Sequence, residues 1–565
     1  MSVKSSVVTK NGVQYLCVNG EPVEGAAYTT YKRENARYKD FAEKGFRLFS
    51  VTLFFGSNYL NETSHLPVFS KGIFDEEIPD YSGFDEDINN ILKYCPDAYI
   101  FPRVNVMPSA EWEKAHPDEL CNIGTFDFPD NKRVCVSSDI WADEVKRTLS
   151  LFIDHVNSMP YRDNIIGYQI AGGNTEEWIA IDFRGNVGKR SEEKFKAAVN
   201  NGEYPDTEEG HFRFLSDVVA GRICEFASFV KEKTNRQLVV GSFYGYTFEL
   251  CERRSAHHSL QKVLNCSDID FLCSPISYST QRQIGTNHPY MMPVHSVKLH
   301  NKLYFAENDV RTHLTRPVSD LPRYNSPLWF GPERSKTIDI MKMHHARNLT
   351  GGHGGWWFDM WGGWYDDDDY MDFLSRAREI TVKNTQNPVP GVSKVALFAD
   401  EKCYAKISDG SGSICSAVRH KIGVCGVPID FYLASDFDAV KDRYKAIVTV
   451  APCETELLND IYAYTSANNI PHLIVNRENA DESPEYFRQF FRESGVFIYC
   501  EKDCALYANE RYIFIHTFGD GEYKINVPDG DKLYDAYSGK KMPDIINAEK
   551  GQSFLMEKGR FMNED

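Results

Sequence analysis

Short, nearly continuous apolar runs alternate along most of this chain with longer stretches in which apolar residues recur every three or four positions. The first pattern marks buried strands and the second marks helices packed on them by one face. Eight strand candidates stand out: Ala26–Thr29, Phe46–Phe54, Ala98–Val106, Ile165–Ala171, Gln237–Tyr244, Asp270–Tyr278, Lys302–Glu307 and Gly355–Met360. Helical stretches fall between and after them. Arg33–Lys44 is polar and Phe84–Tyr94 opens on acidic residues. Asp143–Ser158 carries Leu149, Phe152, Ile153 and Val156 on one stripe, and Phe212–Lys233 carries Leu215, Val218, Val219, Ile223, Phe226 and Val230. Lys336–Asn348 and Asp372–Thr385 complete the set. Strands alternating with helices in this way predict an α/β fold built on a parallel (β/α)8, or TIM, barrel. A doubly wound open sheet is the rival, but no GxGxxG follows the first strand. Ahead of the barrel, residues 11–23 read as a hairpin about Asn19-Gly20.

The pattern breaks at Asn387–Gly391, where two prolines suggest a linker. Val392–Ala399, Ile429–Leu433, Ala446–Val450 and His472–Val475 then read as buried strands, with a helix at Glu454–Asn468. Beyond them lie the shorter runs Phe497–Cys500, Ala505–Asn509, Tyr512–Thr517 and Tyr523–Val527. The expected division is a barrel with its hairpin over 1–387, a Rossmann-like α/β sandwich over 391–490 and a small antiparallel β domain over 496–565.

Composition narrows the function. The 565 residues carry 63 basic and 81 acidic side chains, a net charge of −18, which argues against broad nucleic-acid binding. With 42% hydrophobic residues the chain is globular rather than disordered. No apolar run is long enough for a membrane span, and the first residues lack a signal-peptide core, so a cytoplasmic protein is expected. The 14 cysteines include no CxxC pair, which predicts reduced thiols and gives no support to a zinc site. Aromatic residues reach 13%, enough for a large core and for the stacking platforms of a sugar cleft.

In a barrel of this kind, chemistry gathers where strands end at the C-terminal face. Glu177 follows the fourth strand through a glycine-rich turn (GGNTEEW), and Glu307 ends the seventh (KLYFAEND). Two carboxyls facing each other across a barrel mouth are what glycoside cleavage needs, one as a protonated acid and one as an ionised nucleophile. Arg103 ends the third strand, where its guanidinium beside Glu307 would keep that carboxylate ionised, and Asn105 is placed to bind a sugar hydroxyl. Trp356, Trp357 and Trp361 surround the end of the eighth strand; one should form a sugar platform and at least one other should be core. Asn308, Asp309, Arg311 and His313 are expected to brace the loop after Glu307.

The motifs GNTEEW and FAENDVRTHL, set in this architecture, resemble the clan A retaining glycoside hydrolases. In that clan the acid/base follows strand four and the nucleophile follows strand seven. The order of barrel, trimerisation-type α/β domain and small β domain is similar to family 42 β-galactosidases, and the family 164 β-mannosidases of gut bacteria look alike in the same way. The resemblance implies a retaining exo-β-glycosidase acting on terminal β-galactosides or β-mannosides, with no cofactor or metal and as a homotrimer. It implies Glu307 as nucleophile, Tyr278 after the sixth strand as the residue that holds the nucleophile's rotamer, and Asn174 among the substrate-binding residues. The clan's Asn-Glu pair is absent here, since Asn174 stands three residues before Glu177. Glu176 and Glu177 therefore both remain candidates for the acid, and the Glu-Trp pair with Trp178 favours Glu177. A catalytically silent carbohydrate-binding protein and a transglycosylase are the alternatives.

Three further signals carry little. GGHGG at 351–355 lacks the Lys-Ser/Thr of a phosphate loop. The acidic run Asp366–Asp369 has the wrong spacing for an EF-hand and precedes a helix, where acidic residues suit the dipole. Cys453 follows a strand but lacks the glycines of a nucleophile elbow.

Overall fold

The structure is a computed structural model and describes residues 3–57, 71–122, 132–173, 176–179, 188–278, 282–316, 329–407 and 410–562. The chain opens on an antiparallel sheet of Ser5–Lys10 (β1), Val13–Val18 (β2) and Glu21–Val23 (β3). Both turns are Asn-Gly, at Asn11-Gly12 and Asn19-Gly20, and all four residues have positive φ. That is the two-residue hairpin geometry in which Asn-Gly is favoured. Only the second hairpin was expected. Ser5 N donates to Gln237 O, which seats this sheet under the barrel.

Eight parallel strands then close a barrel: Ala26–Thr29 (β4), Leu48–Phe54 (β5), Tyr99–Asn105 (β6), Gly167–Ala171 (β9), Val239–Phe243 (β10), Phe271–Pro275 (β11), Leu303–Asn308 (β12) and Gly354–Phe358 (β13). Each coincides with one of the eight expected runs. The short hairpin Leu120–Asn122 (β7) and Lys132–Val134 (β8), with the helix Lys189–Asn200, lies outside the barrel circuit and was not expected; its apolar content is too low for a periodic signal. The helices Asp139–Ser158, Glu208–Lys233 and Asp368–Gln386 begin earlier than periodicity suggests. Their first turns are polar, and Ser138, Thr207 and Asp367 cap them by accepting from backbone N–H groups. The acidic run thus serves a helix start.

Strand alternation builds the barrel interior in layers. Phe101, Phe271 and Phe305 fill one layer, with ring centroids 5.4–6.3 Å apart. Glycines face them: a Cβ on Gly241 would lie 2.3 Å from the Phe271 ring and one on Gly354 2.5 Å from Phe305. Two residues further along the same strands, the next layer is Arg103, Gln169, Phe243, Cys273, Glu307 and Trp356. It is this layer that turns polar and forms the floor of the mouth.

The sixth strand ends at Pro275 rather than Tyr278, because Ser277 N leaves the barrel ladder to donate to Pro289 O. After the barrel, Val395–Ala399 (β14), Ile429–Leu433 (β15), Ala446–Val450 (β16) and His472–Val475 (β17) form a parallel sheet in the order β15-β14-β16-β17. The last unit has an antiparallel sheet of Cys504–Ala508 (β18), Tyr512–Thr517 (β19), Leu533–Asp535 (β21) and Ser553–Lys558 (β23). Beside it is a two-stranded ribbon of Gly521–Lys524 (β20) and Ile545–Ala548 (β22). Phe497–Cys500 is not a strand. Val496 and Ile498 are buried in the α/β core while Tyr499 and Cys500 belong to the β core, so this segment joins two cores instead of a ladder. No helix among the described residues is long and apolar enough to cross a membrane.

Candidate active site

Arg103 organises the barrel mouth. It is 1% exposed, and its guanidinium lies over the rings of Phe243, Trp356 and Phe358 at 4.8, 5.1 and 5.2 Å. Its Nη2 donates to Glu307 Oε2 at 2.6 Å, its Nη1 is 3.7 Å from Glu176 Oε2, and its Nε donates to Gln169 Oε1 at 3.3 Å. Trp356 Nε1 points to the same Glu307 oxygen from 3.4 Å. The expected neighbour of the seventh-strand carboxylate is therefore in place. Burial nevertheless lifts Glu307 above its ordinary carboxylate range, with Arg103 pulling the other way.

The segment after β9 carries both candidate acids. Trp178 anchors it: the indole is buried, its Nε1 donates to Ser242 Oγ at 3.0 Å, and its backbone N donates to Gly172 O at 2.8 Å. Glu176 and Trp178 both have positive φ, 67° and 60°, a costly conformation for non-glycine residues that is held here by the packed indole. These two left-handed residues flank Glu177 and send the neighbouring carboxyls to different places. Glu176 turns inward; it is 2% exposed, accepts from the Tyr31 hydroxyl on Oε2, and keeps Oε1 buried. Glu177 is half-buried and accepts from the Tyr246 hydroxyl at 2.9 Å. Burial raises the Tyr246 phenol far above its usual range, and the charges of Glu177 and Glu307 add to that.

Glu176 and Glu307 share one guanidinium. Two carboxylates on a single buried cation leave an excess negative charge, and a proton removes it. Glu307 holds the shorter contact and a second N–H donor, so the proton sits on Glu176, which burial pushes up to about 7. An unfolded glutamate would lose that proton near 4.5. Between these values only the folded state holds it, so this group's stabilisation is complete below pH 4.5 and is lost as pH rises through about 7. Glu176→Gln has no proton to lose. Its melting temperature relative to the unsubstituted protein is expected to climb across that window, by the equivalent of up to ~3 kcal/mol. Thermal melts at pH 5 and pH 7.5 check this; an unchanged difference would remove the shared proton.

Tyr278 is corrected. Its hydroxyl donates to Asp309 Oδ2 at 2.5 Å, not to Glu307, because the residue lies beyond the strand end. Asp309 also takes Arg282 at 2.8 Å and Arg311 at 2.6 Å, the bracing expected of the segment after Glu307. Trp357 is corrected too. Alternation turns it to the outer face of β13, where it packs near Tyr365 at 6.2 Å, so it is core. Trp361 stands at the mouth, 6.2 Å from the Tyr31 ring. Asn105 ends β6 and uses Oδ1 to accept from Met107 N at 3.0 Å. Asn174 lies outside the described residues. Tyr31, Tyr246 and Gln169 belong to the site and were not anticipated. Tyr31 and Tyr246 follow the first and fifth strands by only a few residues, which is the signal that could have found them. Among the described residues, no group of three or more His, Cys, Asp and Glu side chains is arranged to hold a metal.

The fold defined by these elements, a closed (β/α)8 barrel followed by a parallel α/β sheet and an antiparallel β unit, is shared with solved glycoside hydrolases. The chain is similar to a β-galactosidase from Bacillus circulans sp. alkalophilus, with TM-score 0.64 and 11% identity over 94% of this chain and 98% of that one. A β-galactosidase from the psychrophilic Marinomonas ef1 gives TM-score 0.62 and 11% identity over 94% and 100%. An apo exo-carrageenase of GH42 from Bacteroides ovatus gives 0.58 and 12% over 98% and 84%. No family model and no curated protein matches the sequence.

Proposed function

We propose that this protein is a retaining exo-β-glycosidase. The observation that carries the reading is the pairing of Glu307, on Arg103 at the end of the seventh strand, with Glu177, half-buried on Tyr246 after the fourth. The barrel is the one used by the family 42 enzymes, which supports the class of substrate. Glu307 attacks the anomeric carbon as Glu177 protonates the departing oxygen, and a glycosyl ester forms on Glu307. Glu177 then takes a proton from water, the water oxygen bonds to the anomeric carbon, and the ester bond breaks with net retention. Glu177 is preferred to Glu176 as acid because a leaving group needs an accessible carboxyl, whereas both oxygens of Glu176 point into protein. Glu176 acts as a positioning residue through Arg103.

The terminal sugar is a β-galactoside or a β-mannoside, with Arg103 and Asn105 among the polar groups about it and Trp361 as an aromatic wall. A panel of nitrophenyl β-glycosides tests the activity and chooses the sugar; no hydrolysis of any member would favour a silent carbohydrate-binding protein. Glycoside products formed at high acceptor concentration would favour the transglycosylase.

The α/β unit is proposed to build a homotrimer. Tyr462, Ile474, Tyr486 and Phe497 stand 36–53% exposed on and around it, and β17 is a sheet edge. A closed cyclic assembly is the usual way to cover such a surface. Light scattering should give about three times the 64.6 kDa chain mass; a value near 64.6 kDa across micromolar concentrations would exclude the trimer.

A further inference from the structure

Two thiols meet at the C-terminal edge of the α/β sheet. β14 and β16 are adjacent parallel strands with Ala399 opposite Val450, and Cys403 and Cys453 follow that pair by four and three residues. Cys403 Sγ donates to Cys453 O at 3.6 Å, and Cys453 Sγ donates to Cys403 O at 3.8 Å. We propose that Cys403 and Cys453 form a redox-active dithiol, a modification site at which a small disulfide of the glutathione disulfide type oxidises the pair to an internal disulfide.

Geometry comes first. Neighbouring strands run about 4.8 Å apart, and a disulfide needs Cα atoms within about 7 Å. Each sulfur already lies against the backbone of the other residue, so rotation about χ1 is the movement that brings sulfur to sulfur. Access is unequal. Cys403 is 1% exposed, whereas Cys453 is half-buried in the loop after β16, so Cys453 is the thiol that meets a reagent and Cys403 the one that waits behind it. The proton follows the same division. The Cys403 thiol donates toward Cys453 and holds it below the ordinary thiol range; Lys406 assists, while burial, Asp400 and Glu209 oppose. That same hydrogen bond, with burial, raises Cys403. The first proton of the pair therefore leaves the sulfur that a reagent can reach.

The exchange runs in two displacements. The Cys453 thiolate attacks one sulfur of the small disulfide. A bond forms between them, the reagent's S–S bond breaks, and one small thiolate leaves. Cys403 then gives its proton to a departing thiolate and attacks Cys453 Sγ. The Cys403–Cys453 bond forms, the bond from Cys453 to the remaining small thiol breaks, and the second thiolate leaves. Two protein thiols are oxidised by two electrons, one small disulfide is reduced, and the two cysteine protons end on the two released thiols. Cys453 lacks the glycines of a nucleophile elbow, but this reaction needs no oxyanion donors, only a second sulfur behind the first. The link would join the loop after β16 to the short helix Lys402–Lys406, which packs against the barrel helix Glu208–Lys233. Oxidation thus acts where the α/β unit meets the barrel.

The test reads thiol chemistry, not activity, so its outcome is separate from that of the glycosidase reading. The full chain is reduced, freed of reductant and equilibrated under native conditions with glutathione disulfide and a graded share of glutathione. Exchange is stopped with acid, free thiols are alkylated, and peptides are mapped by mass spectrometry. The unsubstituted protein should show a cross-link between Cys403 and Cys453 with the loss of two hydrogens, reversed by excess glutathione. Cys403→Ser should stop at one glutathione on Cys453, because no second sulfur displaces it. Cys453→Ser should leave Cys403 unmodified. Absence of the Cys403–Cys453 cross-link at the oxidising end of the series, or a lasting glutathione on Cys453 of the unsubstituted protein, would overturn the proposal. If either serine variant does not fold, the peptide map of the unsubstituted protein decides.

Discussion

Glu307→Gln is expected to lower turnover of an aryl β-glycoside by at least about three orders of magnitude, a barrier increase of ~4 kcal/mol, with the fold retained. Glutamine keeps the shape and the contact to Arg103 but cannot form the glycosyl ester. The fold survives because Arg103 is not left without a counter-ion. With Glu307 neutral, the excess negative charge is gone, and Glu176, already within 3.7 Å of the guanidinium, gives up its proton and becomes the partner. The same reasoning predicts that Glu176→Gln combined with Glu307→Gln strands Arg103 in its aromatic cage and costs ~3–5 kcal/mol of stability. Steady-state kinetics and chemical denaturation check the two statements. Near-normal activity in Glu307→Gln would end its assignment as nucleophile, and additive stabilities in the double variant would end the shared-charge account.

Glu177→Ala is expected to hydrolyse dinitrophenyl glycosides slowly and to be rescued by azide, with a β-glycosyl azide as product. A dinitrophenolate leaves without a proton, so the ester on Glu307 still forms. Its breakdown then waits for a base to activate water, and azide, already an anion, needs none. Glu176→Ala should behave differently. It opens a void beside Arg103 and Tyr31, lowers activity through a displaced Glu307, and offers azide no vacancy on the substrate side. Product analysis by mass spectrometry separates the two. Rescue of Glu176→Ala alone would reverse the roles of these neighbours. Rescue works as a discriminator because both substitutions remove the same group and differ only in where the space appears.

The barrel was legible because its information is local and periodic. A strand buried on both faces reads as an apolar run whatever surrounds it, and eight such runs separated by helical stripes admit few other closures. Glu307 was legible for the same reason, since it terminates such a run. Phe497–Cys500 shows the limit of that signal: Ile498, Tyr499 and Cys500 are buried as expected, but in two different cores, Phe497 is exposed, and no strand results. Tyr278 shows another, because an apolar run continued past the residue at which the ladder ended.

By itself, then, the sequence determined the barrel, the order of its strands and the two strand ends that carry carboxyls, all of which follow from the period of burial along one element. The tertiary structure decided what depends on several elements at once. Alternation around β13 put Trp356 beside Glu307 and turned Trp357 outward. Positive φ at Glu176 and Trp178, enforced by an indole packed on another strand, sent Glu176 inward and left Glu177 half-buried on the Tyr246 hydroxyl. Loops after the first and fifth strands supplied Tyr31 and Tyr246, and a single guanidinium joined two carboxyls that lie 131 residues apart in the chain (307 − 176). Periodicity reports which face of an element is buried; it carries no record of which loops converge on that face, and convergence is what sets the charge and the proton of this site.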